Sequence, residues 1–252
     1  MVLPKGEQRA AWLNDETASG KRKRASTIYR KLDAAYPEAT VALRFTNPLE
    51  LVIATVLSAQ STDATVNKVT ESLFAKYRTP QDYLASAPGE LEKDIYQTGF
   101  FNQKAKAIRG IAQLLVEEFG GEVPGTMEEL TRLPGVARKT ANIVLGNAFG
   151  IVEGIAVDTH VHRLSYRLGF SDEKDPNKVE RDLMALFPKV KWFHLTYLLI
   201  EHGRAICLAK APKCEVCVVN QICPASRVPT SGKKRARRAS PRASGTARTR
   251  HR

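Results

Sequence analysis

The stretch that decides the fold runs from Leu133 to Asp158 and reads LPGVARKTANIVLGNAFGIVEGIAVD, with one lysine near its start and one aspartate at its end. Just upstream, Thr126 is followed three residues later by Glu129. That is capping-box spacing, so a short helix is expected from about Met127, stopped by Pro134 and Gly135. A second helix follows at once, because Ala141, Val144, Leu145 and Ala148 keep helical spacing and Gly150 lies beyond them as a stop. The pattern is helix, tight hairpin, helix. Such a hairpin points free backbone N–H groups outward at the positive end of the second helix, which suits a phosphate without reading any base. Leu133, Gly135, Val136 and Ala137 form that candidate anion site. Lys139 falls in the first turn of the second helix, where the dipole disfavours an ammonium. Partial burial there would leave a fraction of neutral, nucleophilic amine. The plain alternative is an ordinary solvated lysine.

The 252 residues suffice for one large domain or two modest ones, and 43% hydrophobic content is enough for a packed core. No run approaches the length of a membrane span, and the N-terminus lacks an apolar signal core before the Lys21 to Arg24 cluster, so an intracellular protein with no membrane partner is expected. The net charge of +13 sits at the ends: residues 226 to 252 carry +10 and residues 1 to 27 carry +3, leaving the 198 residues between them neutral. Nucleic-acid binding by the folded part must therefore come from local geometry, while the tails give only non-specific attraction to polyanions.

All four cysteines, Cys207, Cys214, Cys217 and Cys223, lie in one loop with the spacing C-x6-C-x2-C-x5-C. An intracellular setting and the adjacent CxxC disfavour disulfides, which leaves a four-thiolate site for zinc or an iron–sulfur cluster. Lys210 and Lys213 fall inside the first interval as two cations on the same loop. They suit DNA phosphates, with a merely solvated loop as the alternative.

Along the rest of the chain, residues 1 to 25 are polar and expected to be disordered, as are residues 226 to 252. A first helix is expected from Ser26 to Tyr36. Asn47, Pro48 and Glu50 start another, with Leu49, Val52, Ile53, Val56 and Leu57 along one face, delivering Gln60 just past its end. Helices also start near Thr62, Thr79 and Pro88. Gly99-Phe100-Phe101-Asn102 is a turn ahead of a helix whose inward face is Ala105, Ile108, Ile111, Ala112, Leu115 and Phe119. Asp158 reads as the N-cap of a helix through Val161, Leu164 and Leu168, a position that keeps a carboxylate ionised. Further helices start at Asp175-Pro176 and span Trp192 to His202. Some ten to twelve short helices and no clear strand alternation place the fold as all-α.

Four pieces occur in a fixed order: LSAQSTD (Leu57 to Asp63), GFFN (Gly99 to Asn102), LPGVARKTAN followed by a Gly-containing loop and VDTH, and the cysteines. This series resembles the helix-hairpin-helix DNA glycosylase superfamily and, with the lysine present, its endonuclease III family, over most of residues 28 to 225. The resemblance implies two helical domains flanking a cleft. One is a continuous six-helix domain at 41 to 152, and the other joins the 26 to 40 helix to residues 153 to 225 and a [4Fe-4S] cluster. It further implies that Gln60 fills the gap left by an extruded nucleotide and that a wedge maps to Phe100, where Leu or Ile is more typical. Lys139 would be the nucleophile and Asp158 the stabiliser of a cationic sugar.

The implied activity is that of a bifunctional DNA glycosylase and abasic-site lyase, a cytoplasmic, nucleoid-associated monomer if bacterial, acting on double-stranded DNA that carries damaged bases, chiefly oxidised pyrimidines, or abasic sites. Two other readings remain at this point. An adenine-specific relative shares the cysteines but typically lacks the lysine and carries an extra C-terminal domain. A non-catalytic helix-hairpin-helix DNA-binding protein with a metal staple would need neither the lysine nor the aspartate.

Overall fold

Residues 9–228 are described in the computed structural model, and among them there are eleven α-helices and no strand. In chain order these are α1 (Ala18–Ala35), α2 (Pro48–Leu57), α3 (Asp63–Lys76), α4 (Pro80–Ala85), α5 (Glu90–Asp94), α6 (Phe101–Glu118), α7 (Met127–Leu130), α8 (Arg138–Val144), α9 (Thr159–Arg167), α10 (Pro176–Leu186) and α11 (Trp192–Ala205). The all-α expectation is met. The caps read from sequence do their work: Asn47, Thr62, Thr79, Thr126, Asp158 and Asp175 each accept a backbone N–H at the start of a helix. At Thr126 only half of the expected box forms, because the Glu129 carboxylate takes the Thr126 hydroxyl rather than its backbone N–H.

Two hydrophobic clusters organise these helices. The first gathers residues between Leu43 and Leu145, and the second joins Ala25, Ile28, Leu32 and Ala39 of the N-terminal segment to residues from Ile155 to Val219. Helix α2 lies at the centre of the first. Its sequence predicts one apolar face, yet every residue from Leu51 to Leu57 is buried, because α3, α6 and α8 pack around it. Full burial of each large aliphatic side chain contributes about 1.5–3 kcal/mol, so α2 is held by packing on all sides and presents only its end to the surface. Helix α8 also departs from expectation. Its last turn widens into a π-helical segment, Leu145–Phe149, before Gly150 ends it.

The expectation of a disordered segment through residue 25 needs correction over residues 9 to 25. Helix α1 begins at Ala18, capped by Thr17, and a 3-10 turn at Ala11–Asp15 precedes it. Arg24 reads as one more charge in the Lys21 to Arg24 cluster, but it is buried. It pairs with Glu16 at 2.6 Å and donates to the Leu168 carbonyl at the end of α9. Ala10 donates to the Pro224 carbonyl at 2.7 Å, and the Arg9 guanidinium lies over the Tyr166 ring. Long-range polar contacts of this kind leave no local hydrophobic period, which is why the segment looks structureless in sequence. The basic tail beyond Val228, like residues 1 to 8, falls outside the described residues.

The Arg24–Glu16 pair gives a stability test. Its partners are nearly sealed from solvent, so Arg24→Ala should lower the free energy of urea unfolding at pH 7 by about 3–5 kcal/mol. The Arg24 hydrogen bond holds the Glu16 carboxyl below its ordinary value of 4.5. The pair's contribution is therefore complete above that value and lost as pH falls through the lower folded one. The gap between wild type and variant should narrow steadily in unfolding curves taken below pH 4.5.

Candidate active cleft

A cleft of about 1800 Å³ opens between the two hydrophobic clusters, and it gathers Gln60, Phe100, Gly135, Lys139 and Asp158 from separate stretches of chain. On one wall stand two loops. Gln60 follows the end of α2 and is exposed; Phe100 precedes α6 and is 56% exposed, while its neighbour Phe101 packs on the first cluster. The two adjacent rings therefore divide, one exposed and one packed on the core. Gln60 (φ +55°) and Phe100 (φ +49°) are also the two non-glycine residues with positive φ among the described residues. A left-handed backbone at such residues costs on the order of 1–3 kcal/mol each, and its coincidence with a cleft is typical of strain kept for function.

The hairpin sits on the floor. Leu133, Pro134, Gly135 and Val136 make a type II turn, closed by the Val136 N–H on the Leu133 carbonyl at 3.0 Å, with Gly135 at φ +80° in the position that requires glycine. The structure narrows the anion site predicted from sequence. Leu133 and Val136 bury their side chains in the core and spend their N–H groups on internal carbonyls, Leu133 on Leu130 and Val136 on Leu133. Gly135 and Ala137 are exposed. Ala137 is the N-cap of α8 with φ −87° and caps it with no side chain, so the first N–H groups of α8 face outward. Lys139 lies in that first turn. It is exposed, not partly buried, so the free chain does not supply the desolvation expected of it.

Asp158 caps α9, its Oδ1 accepting the Val161 N–H at 2.8 Å, and remains half-buried. What ties it to the hairpin is Glu180 on α10, a residue that sequence reasoning does not find. The buried Glu180 carboxylate accepts from Arg138 Nε (2.8 Å) and Nη2 (3.2 Å), from Asn142 Nδ2 (2.9 Å) and from the Ile155 N–H (3.2 Å). One side chain thus grips both α8 and the segment leading into Asp158. Gly154 makes room for it, because a Cβ there would collide with the Glu180 carboxylate. The one available signal is a glutamate beside Val179 and Leu183, within the apolar stripe of α10. Nearby, Arg204 of α11 pairs with Asp63 of α3 at 2.5 Å, and both residues line the cleft. His160 lines it too, its Nδ1 accepting from Arg163. Burial pushes His160 below its ordinary value, countered in part by the Asp158 carboxylate. A side pocket of about 560 Å³ leads inward from Lys139 and Asp158, walled by Val41, Ile143, Ala156, Tyr197 and Ile200.

The four cysteines surround a separate cavity at the end of α11, and none of them forms a disulfide. Arg167 Nη1 donates to Cys207 Sγ at 3.3 Å and to the Leu208 carbonyl at 2.7 Å, and Cys217 Sγ lies 3.4 Å from His202 Nε2. Burial pushes all of Cys207, Cys217 and Cys223 up, the last to about 12. Lys210 and Lys213 are exposed on the same loop, with Lys213 beside the cysteine cavity; neither lines the cleft.

Residues 53–189 match the model of the HhH-GPD superfamily of base excision DNA repair proteins, and the chain belongs to that superfamily. Within it, the chain is 49% identical over 209 residues to endonuclease III of Synechocystis sp., covering 83% of this chain and 95% of that protein. Two solved structures superpose with a TM-score of 0.79 at 44% identity, covering 81% of this chain and 96% of theirs: a non-covalent endonuclease III–DNA complex and a trapped endonuclease III–DNA covalent intermediate.

The hairpin geometry sets an order of tolerance. At φ +80° a β-branched side chain is strained by on the order of 1–3 kcal/mol, whereas Ala137 has negative φ and serves only through its backbone. Gly135→Val should weaken binding to duplex DNA markedly in a fluorescence-anisotropy titration, and Ala137→Gly should change it little. The opposite ranking would place the phosphate contact elsewhere.

Proposed function

We propose that the chain is a bifunctional DNA glycosylase and abasic-site lyase of base excision repair, acting as a cytoplasmic monomer on double-stranded DNA with damaged bases, chiefly oxidised pyrimidines, or with abasic sites. The observation that carries the reading is the convergence of an exposed amine, Lys139, and a helix-capping carboxylate, Asp158, on one cleft with two strained, outward-pointing side chains. A base in a stacked duplex is out of reach, so the nucleotide must leave the stack. Gln60 and Phe100 hold the gap, and the backbone of Gly135, Ala137 and the first turn of α8 holds a phosphate. The side pocket beside Lys139 and Asp158 receives what is extruded.

Lys139 attacks C1′ as the base departs with the glycosidic electron pair. Duplex seated over the open cleft provides the water exclusion that the free chain lacks. Asp158, at the N-terminus of α9, stabilises positive charge developing on the sugar and assists proton transfers. Cleavage of the C1′–O4′ bond, with O4′ taking up a proton, turns the C1′–amine adduct into a Schiff base, and loss of a proton from C2′ then expels the 3′ phosphate by β-elimination. A lysine in this position favours lyase chemistry over an adenine-specific glycosylase relative.

Four soft donors arranged round one cavity fit an iron–sulfur group. Cys207, Cys214, Cys217 and Cys223 would hold a [4Fe-4S] cluster, which when bound supplies a covalent staple for the loop. Arg167 and Arg163 fix the start of that loop through the Cys207 carbonyl, and Lys210 and Lys213 ride on it as phosphate contacts.

Borohydride should trap a covalent adduct on duplex containing an abasic site, and Lys139→Ala should abolish the adduct while retaining DNA binding; undiminished trapping would move the nucleophile. Asp158→Asn should slow single-turnover excision by roughly a hundredfold or more if the carboxylate stabilises developing charge, against about 1 kcal/mol of stability if it is only a cap. Purified protein should be yellow-brown with about four iron and four acid-labile sulfide per chain. Cys217→Ala should lose folded protein and not activity alone, because binding of the group doubles as folding energy. Colourless anaerobic protein with stoichiometric zinc would overturn the cluster.

A further inference from the structure

Lys104 lies on the first turns of α6 and is only 5% exposed, although nothing in its sequence context distinguishes it from the surface lysines around it. Its ammonium has no carboxylate partner among the described residues. Instead Nζ donates to two main-chain carbonyls, Leu57 and Thr98, each at 2.8 Å. Leu57 is the last residue of α2, three positions before Gln60; Thr98 is two positions before Phe100. One buried cation therefore closes the C-terminal end of α2, where orphan carbonyls and the helix dipole favour positive charge, and at the same time holds the turn that launches α6. Burial lowers the pKa of this lysine, with no opposing contribution from a neighbouring charge. An apolar residue of similar length would leave the Leu57 and Thr98 carbonyls without this donor.

The two tethered loops are the ones whose tips, Gln60 and Phe100, are the positive-φ non-glycine residues of the described chain. Each loop alone is a short turn. Gln60 is bracketed by Ala59 N–H on the Val56 carbonyl and Ser61 N–H on the Ser58 carbonyl, and Phe100 is preceded by Gly99 N–H on the Tyr96 carbonyl. None of these bonds links one loop to the other. Lys104 does, and it lines the cleft behind both.

We propose that Lys104 is a positioning residue that yokes the Gln60 loop to the Phe100 loop, fixing the distance between the two side chains that enter the duplex so that both reach the same gap. The inference rests on the reading of Gln60 and Phe100 as the gap-filling pair. It assigns Lys104 no contact with the reacting atoms: its work is done before chemistry, by holding two loops in one register while the nucleotide is out of the stack.

The test uses the full chain on duplex containing thymine glycol and on duplex containing an abasic site. Lys104→Met keeps the stem and removes the donors, and Lys104→Gln restores N–H donors without charge. Misplacement of a positioning group by about 1 Å is enough for a loss on the order of a hundredfold. Single-turnover thymine glycol excision by Lys104→Met should fall on that scale, with partial recovery in Lys104→Gln. The loss should not add to that of Gln60→Ala in the double variant, because the tether acts through that loop. Additive losses, or excision by folded Lys104→Met within a few-fold of wild type, would overturn the tether while the wild-type adduct at Lys139 still stands. Wild-type protein that neither excises nor is trapped would instead overturn the proposed function and this inference with it. Hydrogen exchange of the native chain supplies an arm that does not depend on variants folding. Amides 59–61 and 99–101 should gain protection together on binding abasic duplex, and protection of one loop without the other would overturn the yoke.

Discussion

Lys139 and Asp158 are held by different hydrophobic cores, and their relative placement depends on how the two cores are joined. One polar join between them is the Glu180 carboxylate. It reaches from α10 to Arg138 and Asn142 on α8 and to the Ile155 N–H on the approach to Asp158, so the amine and the carboxylate are set relative to one another by one buried acceptor with four donors. Hydrogen bonds to a charged acceptor in a dry setting are short and directional, and their loss leaves several donors unsatisfied at once.

The remaining machinery divides between stiff and strained parts. Helix α2 is buried all round and brings Gln60 to the cleft as the end of a rigid rod, while α6 begins at a strained Phe100. The hairpin presents backbone and little side chain. Such a surface suits a ligand whose repeating feature is phosphate, and it fits a chain whose charge between its two basic ends sums to zero. The cleft is open in the free chain and Lys139 is exposed in it.

Much of this is legible in the sequence, for local reasons. Caps, glycine stops and apolar spacing are encoded within a few residues of where they act, which is why the helix-hairpin-helix, the α6 face and the Asp158 cap can be read from residue order alone. Which ring of the Phe100–Phe101 pair is exposed is a choice between two identical side chains, decided by backbone conformation at Phe100. What escapes is polar and long-range. Arg24 meets Leu168, Lys104 meets Leu57 and Glu180 meets Arg138 across 144, 47 and 42 positions, and none of these contacts leaves a period or a motif. Partial burial of Lys139 follows naturally from its place in a helix turn, yet the side chain is exposed, because burial depends on neighbours that the turn does not specify.

Gly154 shows how such a network hides its dependencies. Viewed from the cleft it is invisible: it lines no wall and carries no functional group. Yet the volume its missing side chain leaves is occupied by the Glu180 oxygen that orients Ile155. An alanine at this spot would evict the carboxylate from its seat, freeing α8 on one side and the Asp158 approach on the other. Variation at a loop position outside the cleft lining would then masquerade as damage at Lys139 and Asp158, and a survey of cleft-lining residues alone would never find its source.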